Sequence, residues 1–284
     1  TGKFMKDEEG HWIWEEVVID SPKMIQVGEG RDVILDLNGH NFTGKGSLGG
    51  SQLADPAFCV DQGSFVTVKN PGRIEIDFQA NETRGFFAVG IELKRNGESF
   101  YSEMNERVIK PTIHIANDNT EEHALTIRGD VKANNFDRSV RAVGIMIDAG
   151  EGNMVDKYKK IQIDGLVNID INHGRGVWAN VGKISLGGGK IYTPKNYAIL
   201  ALGIPCDPAN GDVTGGGPAT SQNRYNDEFA RGVVNVNVVA DGDELKAGMN
   251  TVKIDGHIAT NDLCSIGQWL LGNTYESGIV NVAL

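Results

Sequence analysis

The sequence predicts an all-β chain wound as a parallel β-helix, a solenoid with polar loop insertions on one side. Three observations carry that expectation. A phrase of two short period-2 strands joined by a glycine turn recurs along the chain, a second small-apolar-Gly motif recurs in its company, and no 3.6-residue hydrophobic period lies between them. The 284 residues then form a single domain, 1–284, with residues 1–30 as an N-terminal cap and loops 92–107, 146–160 and 205–232 inserted between coils.

The first phrase is VILDLNGHNF at 33–42. Taken alone, Asn38-Gly39 is the usual two-residue signal of a β-hairpin. The phrase has counterparts in VTVKNPGRIEI (66–76), LTIRGDVKA (125–133), IQIDGLVNIDI (161–171), ISLGGGKIY (184–192) and VKIDGHIAT (252–260). A hairpin has no reason to recur with a distant second motif, whereas a solenoid corner must recur once per coil. Inward positions are then Val33, Leu35, Leu37, Leu125, Ile127, Ile161, Ile163, Val252 and Ile254, alternating with polar outward ones. Asn38-Gly39, Gly129, Gly165, Gly188 and Gly256 are expected at corners. The second motif is FFAVGI, VRAVGI, AILALGI and LCSIGQWL, with Gly90, Gly144, Gly203 and Gly267 expected in register.

Composition agrees and narrows the partners. Thirty-seven Gly against 8 Pro suit many turns between strands. A net charge of -11 argues against a nucleic-acid backbone or an anionic lipid surface, leaving sugars, proteins and cations. Cys59, Cys206 and Cys264 have neither disulfide nor zinc spacing and read as buried or incidental thiols. The longest apolar run, 197–204, is too short to cross a bilayer, so no membrane insertion by this segment is expected. The chain opens on Thr and reads as a mature or excised piece.

VILDLNGHNFTG resembles the early coils of the pectate-lyase-like superfamily of right-handed parallel β-helices. The repeated IxIxG strands and frequent Asn are similar to bacterial autotransporter passengers and surface adhesins. That resemblance implies a right-handed solenoid over roughly 30–284 and a secreted or cell-surface location as an outer-membrane passenger. Enzymes of the superfamily cleave acidic polysaccharides, and their motifs are not reproduced. The chain has no Asp-Asp pair, His173-Gly174 only approaches the Gly-His-Gly motif, and Arg73-Ile74-Glu75 ends in the wrong charge. Arg175 could stand as a lyase base but reads as a solvated corner, so no catalytic residue is assigned.

Other chemistries leave little signal. The histidines His11, His40, His114, His123, His173 and His257 share no metal-ligand spacing. His40 and His257 both follow a corner glycine and are expected at one repeat position, in a structural role. NDNTEE (117–122) and DGDE (241–244) offer oxygen ligands to calcium, the one cofactor left open, but read as polar turns. Trp12 and Trp14 would share a strand face and read as part of the cap.

Three polar excursions follow the second motif at one repeat position, and insertions at one position project from one side of a solenoid. They carry the candidate binding residues Tyr101, Glu103, Tyr158, Asp207, Tyr225, Asp227 and Glu228. The expected function is a non-catalytic adhesin passenger that binds glycan or protein of a host or neighbouring bacterial cell. The alternatives are a polysaccharide lyase or glycoside hydrolase and a structural fibre segment.

Overall fold

A computed structural model of the chain describes residues 3–6, 12–15, 23–28, 30–48, 54–61, 64–80, 87–94, 112–131, 141–147, 160–179, 182–206, 232–242, 244–260 and 274–284. Two strands, β1 (Lys3–Lys6) and β2 (Trp12–Glu15), pair antiparallel as a separate sheet. The strands that follow are β3 (Ile25–Val27), β4 (Asp32–Asp36), β5 (Phe42–Leu48), β6 (Ala54–Val60), β7 (Phe65–Lys69), β8 (Ile74–Ala80) and β9 (Phe87–Leu93). Next come β10 (Thr112–Ala116), β11 (Leu125–Val131), β12 (Arg141–Ile147), β13 (Lys160–Ile171), β14 (Gly174–Ala179) and β15 (Gly182–Cys206). The chain closes with β16 (Gly232–Val236), β17 (Val238–Asp241), β18 (Glu244–Ala247), β19 (Val252–Ala259), β20 (Thr274–Ser277) and β21 (Ile279–Val282). Apart from one 3-10 turn at Glu121–His123, the described residues hold no helix.

Pairing sorts most of these strands into three parallel stacks wound as a right-handed β-helix. The first stack runs β4, β7, β10, the start of β13, the start of β15, β16 and β21. The second runs β5, β8, β11, the end of β13, the middle of β15 and the start of β19. The third runs β3, β6, β9, β12, β14, the later part of β15 and the end of β19. The NGH segment is therefore a corner. Strand β4 pairs with β7 and β5 with β8, both in parallel, while Asn38 and Gly39 take φ of 47° and 80° to turn the chain between faces.

Registration makes the core. Val33, Val66, Ile113, Ile161, Ile184, Val234 and Val280 form one inward column, and the five between the terminal pair are buried. Burying a Val or Ile side chain contributes about 1.5–3 kcal/mol. Such columns therefore outweigh any single exposed ion pair, which contributes about 0–1 kcal/mol. Val33, Val252, Ile254, Val280 and Val282 join the same core but are only partly buried, since among the described residues β4, β19 and β21 each pair with a stack neighbour on one side alone.

Corners between the first and second stacks are closed by asparagine. Asn117 is buried; its Oδ1 accepts from Gly165 N at 2.8 Å and its Nδ2 donates to Leu166 O at 3.0 Å and His123 O at 3.2 Å. Asn237 repeats this, accepting from Asn250 N and donating to Asn250 O and Ala283 O. A short amide can thus satisfy backbone groups of the adjoining coil that strand pairing leaves over at a turn.

Several sequence expectations change in register. LTIRGDVKA is no corner: Gly129 lies inside β11, where an added Cβ would sit 2.6 Å from Phe78 Cζ. VKIDGHIAT turns from the second stack to the third, so His257 pairs at Tyr197 while His40 follows a first-to-second corner. The two histidines do not share a repeat position. Gly90 and Gly144 do stack, but the next members of their column are Gly176 and Ala198, not Gly203; Gly267 lies outside the described residues. The loop boundaries move slightly, since β9 runs through Leu93, β12 through Ile147 and β15 through Cys206.

The Gly90, Gly144 and Gly176 column has a steric cause. An added Cβ on Gly144 would lie 2.5 Å from Gly176 O and 2.8 Å from Ile169 Cγ2, and one on Gly176 would lie 2.5 Å from Ala198 O. Gly144→Ala is expected to destabilise the fold by about 1–3 kcal/mol, read by urea unfolding. Asn117→Ala should cost about 1–3 kcal/mol by leaving the Gly165 N–H and Leu166 C=O without that partner. An unchanged midpoint in the second variant would mean that water replaces the amide.

Candidate functional site

The third stack differs from the others on its outward side. In the first stack one outward column is Ile34, Thr67, His114, Gln162, Ser185, Asn235 and Asn281, polar apart from the exposed Ile34, and in the second one includes Asp77, Arg128, Asp170 and Asp255. The third stack places Cys59, Glu92, Met146, Trp178 and Leu200 in one outward column and Val89, Val143 and Arg175 in another. Val89 and Val143 are fully buried, and Glu92 and Arg175 are 1% and 3% exposed. This outward face is thus largely buried, with Phe87 and Trp178 partly exposed.

Its centre is aromatic and charged. The Arg175 guanidinium lies 3.9 Å from the Trp178 ring centroid and 5.8 Å from that of Phe87, and the two rings meet edge-on at 5.0 Å. Stacking on two rings offsets part of the cost of removing the cation from water. Trp178 Nε1 is buried without an acceptor among the described residues. At the rim, Lys94 Nζ lies 3.1 Å from Asp61 Oδ1. Burial, with the Glu92 charge second, pushes the Cys59 thiol up to about 12, so it is an inert packing group as the sequence suggested.

The expectation that Arg175 is a solvated corner is thus overturned. Period-2 alternation points it outward, and its burial beside the Phe87 and Trp178 rings is a tertiary feature that the local pattern does not carry. No sequence signal marks Glu92 as a site residue; it lies in β9, where the loop reading began. The seven predicted binding residues, Tyr101, Glu103, Tyr158, Asp207, Tyr225, Asp227 and Glu228, lie outside the described residues. The strands before the first two insertions do end in register, Leu93 opposite Ile147. β15 continues past the matching residue, Ala201, to Cys206 before the third.

A second polar concentration sits at the first-to-second corner of the coils containing β10 and β13. His114 Nε2 and Asp164 Oδ2 are 2.7 Å apart, as are His123 Nδ1 and Asp118 Oδ2. Asp118 also accepts from Thr120 N and Oγ1, and Glu121 accepts from Lys190 Nζ and Asn168 Nδ2. Two of the three carboxylates of the NDNTEE segment, Asp118 and Glu121, are thereby engaged in a turn and a coil-to-coil network. No group of three His, Cys, Asp or Glu among the described residues is arranged to hold a metal ion. In the DGDE segment, Asp241 pairs with Lys246 across the β17–β18 hairpin.

Comparison of the chain with family models, with curated proteins and with solved structures finds no match.

The hydroxyl, the imidazole and the Thr120 amide hold Asp118 down at about 2, below the ordinary 3.8, with the Thr120 hydroxyl contributing most. A depressed folded-state value gives stability that is present above about 3.8 and is lost as pH falls through about 2. The group is exposed, so the effect is small. Asp118→Asn should reduce the fall of melting temperature between about pH 4 and pH 2 while leaving the neutral value nearly unchanged; an identical acid limb in both proteins would exclude the contribution.

Proposed function

We propose that the chain is a secreted or cell-surface passenger domain that binds glycan or protein of another cell through its loop-bearing side. One observation supports this most. The third-stack strands β9, β12 and β15 each lead directly into one of the polar excursions, which carry Tyr101, Tyr158 and Tyr225. Aromatic anchors surrounded by polar groups are what adhesive contacts use. The pectate-lyase-like resemblance of VILDLNGHNFTG and the autotransporter resemblance of the repeated IxIxG strands agree with a solenoid displaying such loops, which a rigid stack would hold at fixed spacing.

Deleting residues 208–227 is expected to abolish binding to cells or to a glycan array while moving the melting temperature little, since long surface excursions add little to a stacked core. Tyr225→Ala alone should weaken binding by about 1 kcal/mol or more if it anchors the contact. Retained adhesion by the folded deletion variant would remove this loop from the site. A depolymerisation screen on acidic and neutral polysaccharides runs beside it, and turnover there would replace binding with catalysis as the activity.

A further inference from the structure

The start of the first stack holds two stacked lysines. Lys160 opens β13 and Lys183 lies at the start of β15, and they are direct register partners, with Thr112 on one side and Val233 on the other. Neighbouring strands lie about 4.8 Å apart, so the two side chains leave the sheet side by side. Both alternate with the inward residues Ile161 and Ile184 and therefore point outward, yet both are only partly exposed. Like charges directly opposite across a strand pair are unfavourable.

The chain neutralises its other stacked lysines. Lys190 and Lys253 are partners in the second stack, and Glu121 reaches Lys190 Nζ at 3.1 Å. Among the described residues, Lys160 and Lys183 have no carboxylate within ion-pair distance. The nearest acidic influence, Asp164, is held by His114 and by Gln162 Nε2 at 2.7 Å. Burial and then the charge of Lys183 both press Lys160 toward its neutral form, outweighing Asp164. This arrangement stands in a chain with 38 acidic and 27 basic residues, where a carboxylate would be the easy neighbour to supply. Hydroxyl and amide groups continue the same face, since Ser185 lies beside Gln162 in register and Asn235 Nδ2 donates to Ser185 Oγ at 3.4 Å.

We propose that Lys160 and Lys183 form a binding site for an oxyanion, a sulfate or phosphate group seated between the two ammonium groups on the outer face of the first stack. The anion removes the repulsion and completes a charge pattern that the chain leaves open, with the neighbouring hydroxyls and amides fitting the sugar that would bear an esterified group. The site lies where the chain passes from the third stack to the first, but it rests on the lysine geometry and not on the adhesion reading. Deletion of 208–227 tests that reading separately.

The test is calorimetric titration of the full chain with inorganic sulfate, inorganic phosphate and dextran sulfate, at ionic strength held constant with chloride. Unsulfated dextran is the blank. Saturable binding of at least one probe is expected, with affinity lowered at least tenfold in Lys160→Gln and in Lys183→Gln and retained in Lys253→Gln. In chloride buffer the first two variants should melt at or above the wild-type temperature, which shows that they fold and that a repulsion has been removed. Dextran sulfate binding at least tenfold more tightly per sulfate than the free ion identifies a glycan-borne group; equal affinity identifies the free anion. No saturable binding of any probe overturns the site. So does binding that survives both lysine substitutions or is lost equally in Lys253→Gln.

Discussion

The solenoid depends on one constraint: in each of the three stacks a strand pairs in parallel with the equivalent strand one coil away. Parallel pairing at about 4.8 Å fixes which residues stack, so Val66, Ile113, Ile161 and Ile184 must lie over one another and must all face inward. A one-residue slip would send that column to solvent. The inward columns hold the register, and the register then dictates what the corners and outward faces have to tolerate.

The tolerances differ by position. Where the third stack bends, the carbonyl of one coil approaches the Cα of the next so closely that Gly90, Gly144 and Gly176 admit no Cβ. Where the first stack turns into the second, Asn38, Asn70 and Asn237 take positive φ, at 47°, 46° and 54°. Asn117 and Asn237 go further and bond the backbone of the neighbouring coil. Both devices answer the same problem, a backbone that must turn while its polar groups still find partners.

Stacking also acts on charge, because it repeats each outward position at short distance whether or not the charges agree. Asp77, Arg128 and Asp170 alternate in sign along one column and need nothing further. Lys190 and Lys253 agree in sign and draw Glu121 across from a turn. Lys160 and Lys183 agree in sign without such help. On the third stack the same rule brings the buried Arg175 against the Phe87 and Trp178 rings, which face the cation in place of water.

The sequence by itself determined the repeat and the inward set. Alternation at Val33, Leu125, Ile127, Ile161, Ile163 and Ile254 is local, set by the two-residue period of an extended chain, and it needs no partner to be legible. Only the tertiary structure decided which phrase belongs to which face. LTIRGDVKA, VKIDGHIAT and VILDLNGHNF look alike because all three stacks share that period, yet one is a straight strand and the other two are different corners. The candidate site was less legible still. Arg175, Glu92 and Trp178 are spread over 87 positions, 92 to 178 inclusive, and meet only because the coils bring β9, β12 and β14 into pairing, a long-range registration that no local pattern of side chains encodes.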